Sequence, residues 1–272
     1  MIDVHCHLNL HAFDDDYDAV ANAAFESGVK TIINTGTSIP SSRRAVELAN
    51  KLPNTYAIVG VHPHHADKAD KEFEGELQDN WLEKLEELAQ DSKVIGIGEI
   101  GLDYHTYKSN GIVDKKVQAD AFIKQIKLAH KHNLPLQIHN RLAGMDIIDI
   151  LKEHKNELKE IPGMFHCMSG DLKFLEEVLN LGFYVGFDGN ITYKGIAPGE
   201  TVELSELVKN TPADRIVTET DSPFLTPIPF RGSRNEPKHV IIVGKFIAEI
   251  KGIDYEEFKI KSYENARKIF NI

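Results

Sequence analysis

Short apolar or β-branched runs alternate along this chain with longer stretches in which apolar residues recur every three or four positions. The first pattern is that of strands buried in a sheet, and the second that of helices with one apolar face. Strands are predicted at residues 2–8, 29–36, 55–61, 94–99, 134–139, 164–167, 182–187 and 215–220. Helical stretches fall between them, clearest at 77–90, 113–132 and 172–181, and two more close the chain. Such alternation builds a parallel sheet covered by helices. Eight strand-helix units in 272 residues match the roughly 250 residues of a (β/α)₈ TIM barrel, whereas a doubly wound sheet usually needs fewer strands. No low-complexity tract or linker divides the pattern, so residues 1–272 are expected to form one α/β barrel domain.

Composition supports a globular chain: 42% hydrophobic and 27% charged residues suffice for a sizeable core. The uninterrupted apolar runs, such as Val94 to Ile97, are far shorter than the roughly 20 residues that span a bilayer. The first strand begins at Ile2 with no basic, hydrophobic leader before it, so a cytoplasmic location without membrane contact is expected. Cys6 and Cys167 are too few for a disulfide framework and form no CxxC pair. The formal net charge of -11 argues against broad binding of a polyanion. A nucleic-acid substrate would have to be held locally, by metal ions and a few arginines.

A barrel places its chemistry at the C-terminal ends of its strands. His5 and His7 end the first predicted strand, His62 and His64 follow the third, Glu99 closes the fourth, His139 the fifth, His166 the sixth and Asp221 the eighth. Side chains alternate across a strand, so His5 and His7 share one side while Cys6 points away. Singly, a histidine or glutamate at a strand end is more often a surface residue than a ligand. Together, these groups converge on one barrel mouth, where unpaired buried carboxylates would be costly without a cation. The six candidate ligands His5, His7, Glu99, His139, His166 and Asp221 exceed what one tetrahedral site uses. Two divalent ions sharing a carboxylate are therefore expected, with Glu99 as the bridge. Nitrogen and oxygen donors without thiolate suit Zn²⁺ or Mn²⁺, with Mg²⁺ acceptable where carboxylates dominate.

The motifs carrying these residues resemble the TatD family along essentially the whole chain. Ile2-Asp3-Val4-His5-Cys6-His7-Leu8 resembles its opening DxHxH strand, Gly60-Val61-His62-Pro63-His64 its third-strand signature, and Gly98-Glu99-Ile100-Gly101-Leu102-Asp103-Tyr104 its GE(I/C)GLDY segment. Gln137-Ile138-His139-Asn140-Arg141, Phe165-His166-Cys167-Met168-Ser169-Gly170 and Glu219-Thr220-Asp221-Ser222-Pro223 are similar to its xxHxR, HCFSG and ETDxP motifs, with Met168 where the family commonly has Phe. The resemblance implies an amidohydrolase-like barrel in which His5, His7, Glu99 and Asp221 hold one ion while Glu99, His139 and His166 hold the other. Many relatives in that wider group carry a carbamylated lysine at the end of the fourth strand, where this chain has Glu99. The implied activity is metal-dependent deoxyribonuclease action, trimming single-stranded DNA or DNA ends exonucleolytically.

In the mechanism that follows from this, a metal-activated water attacks phosphorus, Glu99 and Asp221 are the catalytic carboxylates, and Asp221 doubles as ligand and general base. His62, Arg141 and Arg234 are candidate phosphate holders, and Tyr104 a candidate base-stacking or phosphate-donating residue. The competing readings are a barrel hydrolase acting on a small-molecule ester, lactone or amide, and a non-catalytic binding protein. Convergence of His62, Arg141 and Arg234 on the ions would favour a phosphate over a neutral amide. Gly96-Ile97-Gly98-Glu99-Ile100-Gly101 satisfies GxGxxG, yet it does not open a helix, and its carboxylate would repel a pyrophosphate. His130 and His132 are expected to face a helix dipole, and Asp14-Asp15-Asp16 to be a solvated helix start.

Overall fold

The computed structural model describes residues 1–67, 80–108 and 111–272. Its strands are β1 (Ile2–Cys6), β2 (Thr31–Thr35), β3 (Thr55–Val59), β4 (Val94–Asp103), β5 (Leu136–Arg141), β6 (Gly163–Phe165), β7 (Tyr184–Phe187) and β8 (Ile216–Thr218). They form one parallel sheet in chain order. Helices α1 (Tyr17–Glu26), α2 (Ile39–Lys51), α3 (Trp81–Ala89), α4 (Lys115–His132), α5 (Gly144–Glu153), α6 (Leu172–Asn180), α7 (Leu204–Asn210), α8 (Val240–Lys251) and α9 (Tyr255–Phe270) alternate with the strands or follow the last. The result is a nearly closed (β/α)₈ barrel.

Polar side chains draw β8 to β1. The Asp3 carboxylate accepts the Thr220 amide at 3.0 Å and the Thr220 hydroxyl at 2.6 Å. The His7 amide donates to Ser222 O at 2.8 Å and the Asp221 amide to His5 O at 3.0 Å. The loops carrying the candidate ligands thus meet where the barrel closes. Ile33, Ile58, Ile95, Met164, Tyr184 and Val217 share a buried cluster with Ile269 and Phe270 of α9. Residues from so many strands meet only through the barrel interior, which is filled rather than hollow. The larger cluster lies between strands and helices and includes Leu48, Leu85, Phe122, Ile147, Phe174 and Ile247.

The helix boundaries follow cap chemistry. Asp114 accepts from the Lys116 and Val117 amides, which starts α4 two residues later than the apolar pattern alone predicts. Asp171 caps α6 through the Phe174 amide. The helix predicted at 77–90 is observed as α3; residues 77–79 lie outside the described residues. Asp14 and Asp16 precede α1 but are not merely solvated: they pair with Arg44 and Arg234. Among the described residues no helix is long and apolar enough to cross a membrane.

Strand β4 departs most from expectation. It continues past Glu99 to Asp103, paired with β5 through Gly101–His139, Leu102–Asn140 and Asp103–Arg141, whereas β3 accompanies it only as far as Ile97. The β4–β5 ribbon therefore extends beyond its β3 neighbour, and Glu99 and His139 lie within strands rather than closing them. The pairing skips between Ile97 and Ile100, around Glu99. Gly101 permits the close approach: its φ is +140°, and an added Cβ would lie 2.0 Å from His139 O. Gly101→Ala is expected to cost about 2 kcal/mol or more of stability, because backbone rather than a flexible side chain blocks the methyl. Gly252→Ala, at the open, left-handed end of α8, is expected to cost about 1 kcal/mol. Thermal denaturation of both variants checks the ranking.

Candidate metal centre

Hydrogen-bond partners outside the barrel mouth set the tautomers inside it. Gln137 Nε2 donates to Val4 O at 2.8 Å, which turns Oε1 toward His5 Nδ1 at 2.8 Å and the Thr35 hydroxyl at 3.0 Å. A carbonyl oxygen only accepts, so the His5 proton is on Nδ1 and Nε2 offers a lone pair. His7 is fixed likewise, with Nδ1 2.8 Å from Thr35 O. The two Nε2 atoms face each other at 3.0 Å. Asp221 Oδ1 lies 3.5 and 3.3 Å from them, and Glu99 Oε2 lies 3.7 Å from each. Two lone pairs and two carboxylates so placed repel one another unless a cation lies between them. Asp221 is held in place at φ +52°, in a left-handed region that Asp tolerates better than most residues.

The other oxygen of Glu99 faces a second imidazole group. Oε1 lies 2.8 Å from His139 Nδ1, 3.2 Å from His166 Nε2 and 3.5 Å from His62 Nε2. His139 Nε2 lies 3.1 Å from Asp103 Oδ2, and a proton held there leaves Nδ1 to offer its lone pair to a cation beside Glu99. That Nδ1 is buried and, despite its distance to Glu99, makes no hydrogen bond. Nitrogen lone pairs converging on a shared carboxylate fit a divalent cation of the zinc or manganese type, and no thiolate joins them, since Cys6 Sγ turns to Ile33 O. Burial alone would push the Glu99 carboxyl up, but the imidazoles of His62 and His166 hold it well below the usual carboxylate range. His5 is driven well below the ordinary imidazole value by burial and by its neighbours His166 and His7.

Around these groups stands a supporting layer that motif reading did not single out. Asp103, fully buried, accepts from His64 Nε2 at 2.8 Å, from His139 and from the Tyr107 hydroxyl at 3.1 Å. Burial would raise its pKa, and the hydrogen bonds from His139 and His64 depress it far below the ordinary value. Glu219 takes the Cys167 amide and lies 3.4 Å from His166 Nδ1. Asp3 and Gln137 each precede a candidate ligand by two positions, so strand alternation alone would have put them on the ligands' side.

The expected substrate-holding residues are placed unequally. His62 Nδ1 accepts the His64 amide at 3.1 Å, so its proton points from Nε2 toward Glu99: a donor rather than a ligand. Arg141 is exposed and bound to the Tyr107 hydroxyl at 2.7 Å, which links it through Asp103 to His139. Arg234 is held in a fork by Asp16 at 2.9 and 2.6 Å and lies over the Phe13 ring, and its contacts do not include the candidate ligands. The Tyr104 hydroxyl donates to Asp146 at 2.7 Å, and Lys115 Nζ lies 3.7 Å from its ring centre. Asn235 fixes the loop after β8 by donating to Thr220 O and Phe224 O.

A parallel barrel with a buried cage of imidazoles and carboxylates at the C-terminal ends of its strands defines a metal-dependent hydrolase. The chain belongs to the TatD family: the model of the TatD related DNases matches residues 2–271. An uncharacterized metal-dependent hydrolase of Bacillus subtilis, YabD, is 39% identical over all of this chain and 99% of its own. The 3'-5' ssDNA/RNA exonuclease TatD of Erwinia tasmaniensis is 35% identical over the full length of both. Among solved structures, the TatD homologue YjjV of Escherichia coli superposes with a TM-score of 0.87 at 27% identity, covering 100% of this chain and 98% of that one.

The hydrogen-bond layer predicts metal affinity. Gln137→Leu and Asp103→Asn are expected to weaken Zn²⁺ or Mn²⁺ binding about 10- to 100-fold, measured by competition with a chromophoric chelator.

Proposed function

We propose that this hydrolase is a two-metal deoxyribonuclease that removes nucleotides from single-stranded DNA or DNA ends. The observation that carries the reading is Glu99, whose two oxygens face two separate ligand groups: His5, His7 and Asp221 on one side, His139 and His166 on the other. One carboxylate addressed by two such groups suits a bridged pair of ions. Divalent cations held there supply Lewis acidity and positive charge for a phosphodiester. The chain's own residues do the rest. Asp221, more solvent-accessible than Glu99 at the side chain, accepts the proton of the attacking water. The Nε2–H of His62 donates to a phosphoryl oxygen, a role for which its tautomer is set in advance by the His64 amide. Arg141, tethered through Tyr107 at the rim, meets a neighbouring phosphate. The nucleic-acid assignment draws on the exonuclease relative and on this donor at the centre.

A small-molecule ester, lactone or amide remains the second reading, favoured by one observation: Arg234 is held by Asp16 rather than paired with Arg141 to meet a phosphate. Release of nucleotides from end-labelled single-stranded DNA separates the two. Metal-stripped protein is expected to be inactive and to recover with Mg²⁺, Mn²⁺ or Zn²⁺. Asp221→Asn is expected to lower kcat by about 10²- to 10⁴-fold, and His62→Ala to lower kcat/KM by about 10²-fold. No digestion with any ion, in protein that binds two equivalents of metal, moves the assignment to the small-molecule reading.

A further inference from the structure

Phe224 is an exposed aromatic ring on a rigid backbone at the edge of the cage. It follows Asp221 by three residues, is 52% exposed, and its ring centre lies 6.3 Å from that of His7 at an interplanar angle of 66°. Its backbone is held at both ends: the Phe224 amide donates to Asp221 O at 2.8 Å and Phe224 O accepts from Asn235 Nδ2 at 2.6 Å. Farther along the loop, the Thr226 hydroxyl donates to Ser233 O and Thr226 O accepts from the Tyr193 hydroxyl. What sets this exposed ring apart from other apolar side chains at the surface is its place beside His7 on so fixed a segment, where it meets whatever the cage binds.

The neighbouring rim aromatics are engaged on their faces or edges. Lys115 covers Tyr104, Arg231 lies 4.0 Å from the Tyr193 ring centre, His239 stacks on Phe230 at 4.9 Å, and Tyr107 meets His64 and His105 edge-on. Among the described residues, the ring contact of Phe224 is with His7, at an angle that leaves a face open. Within the nuclease reading, on which this inference rests, the flat apolar surface that a substrate brings within one nucleoside of the ions is a nucleobase. We infer that Phe224 is the stacking platform for the base flanking the scissile phosphate, in place of the Tyr104 expected from sequence. A base inside a duplex has both faces covered by its neighbours, whereas a terminal or unpaired base leaves a face free, so such a platform selects strand ends over internal positions. The contact reads no base edge and is therefore tolerant of sequence.

A single-stranded oligonucleotide with 2-aminopurine beside a non-hydrolysable terminal methylene-phosphonate linkage tests this directly when titrated with metal-loaded protein. Binding to the wild type is expected to quench the base. Phe224→Ala is expected to raise Kd about tenfold and lose the quenching, while Phe224→Trp retains both. An abasic residue in place of the base is expected to bind wild type and Phe224→Ala equally. Equal Kd and quenching for wild type and Phe224→Ala on the base-carrying strand overturn the platform, whatever the activity on natural strands. Failure to digest the natural linkage with any ion overturns the nuclease reading separately.

Discussion

A carboxylate withdrawn from water sets the terms for the whole rim. Glu99 is 4% exposed, and an ionised carboxylate at that depth costs several kcal/mol unless it is paired and hydrogen-bonded. Its partners arrive from β1 and the residue just beyond it, from β5, and from the turns after β3 and β6. Burying one side chain thereby ties separate strands to a single point. The same constraint reaches outward. Because lone pairs must face inward, the outer nitrogens of His5, His7 and His139 each need an acceptor, and Gln137, Thr35 O and Asp103 provide them.

Electrostatics at the rim are economical in cations. The chain carries a net charge of -11, and two of its rim arginines already have partners: Arg234 on Asp16 and Arg141 on the Tyr107 hydroxyl. Of these two, the Asp16 carboxylate offsets the charge of Arg234, while Arg141 keeps its charge beside a neutral hydroxyl, so the positive charge these arginines offer at the rim is local. Salt sensitivity through counterion release scales with the number of phosphates neutralised. On the nuclease reading proposed above, so local a grip leaves selectivity for strand ends to shape and stacking rather than to a broad field.

Much of this was legible in the sequence. The eight strands and their order followed from period and length, because each strand is buried and bounded by turns. The imidazole and carboxylate positions that come together around Glu99 followed from the rule that barrel chemistry gathers at strand ends. What escaped was set by contacts between elements distant in sequence. The extension of β4 beyond Glu99 depends on pairing with β5 and on Gly101, which a one-dimensional pattern does not reveal. Asp103 reads as part of a motif, and its service to three donors appears only when β3, β4 and β5 lie side by side. The engagement of Arg234 with Asp16 joins residues 218 positions apart, beyond the reach of any local signal.

The two ligand groups also differ in how far along the chain their members lie. His139, His166 and Glu99 belong to β4, β5 and the turn after β6, which are neighbours in both sequence and sheet. His5 and His7 meet Asp221 only across the seam between β1 and β8. Bringing together groups so far apart carries a larger loop-closure entropy, and it comes last in any folding order that starts from local pairing. A half-folded chain can thus own one complete donor set without the other. The seam group exists only in a ring that has joined its ends, so a cation residing there certifies the topology of the finished molecule.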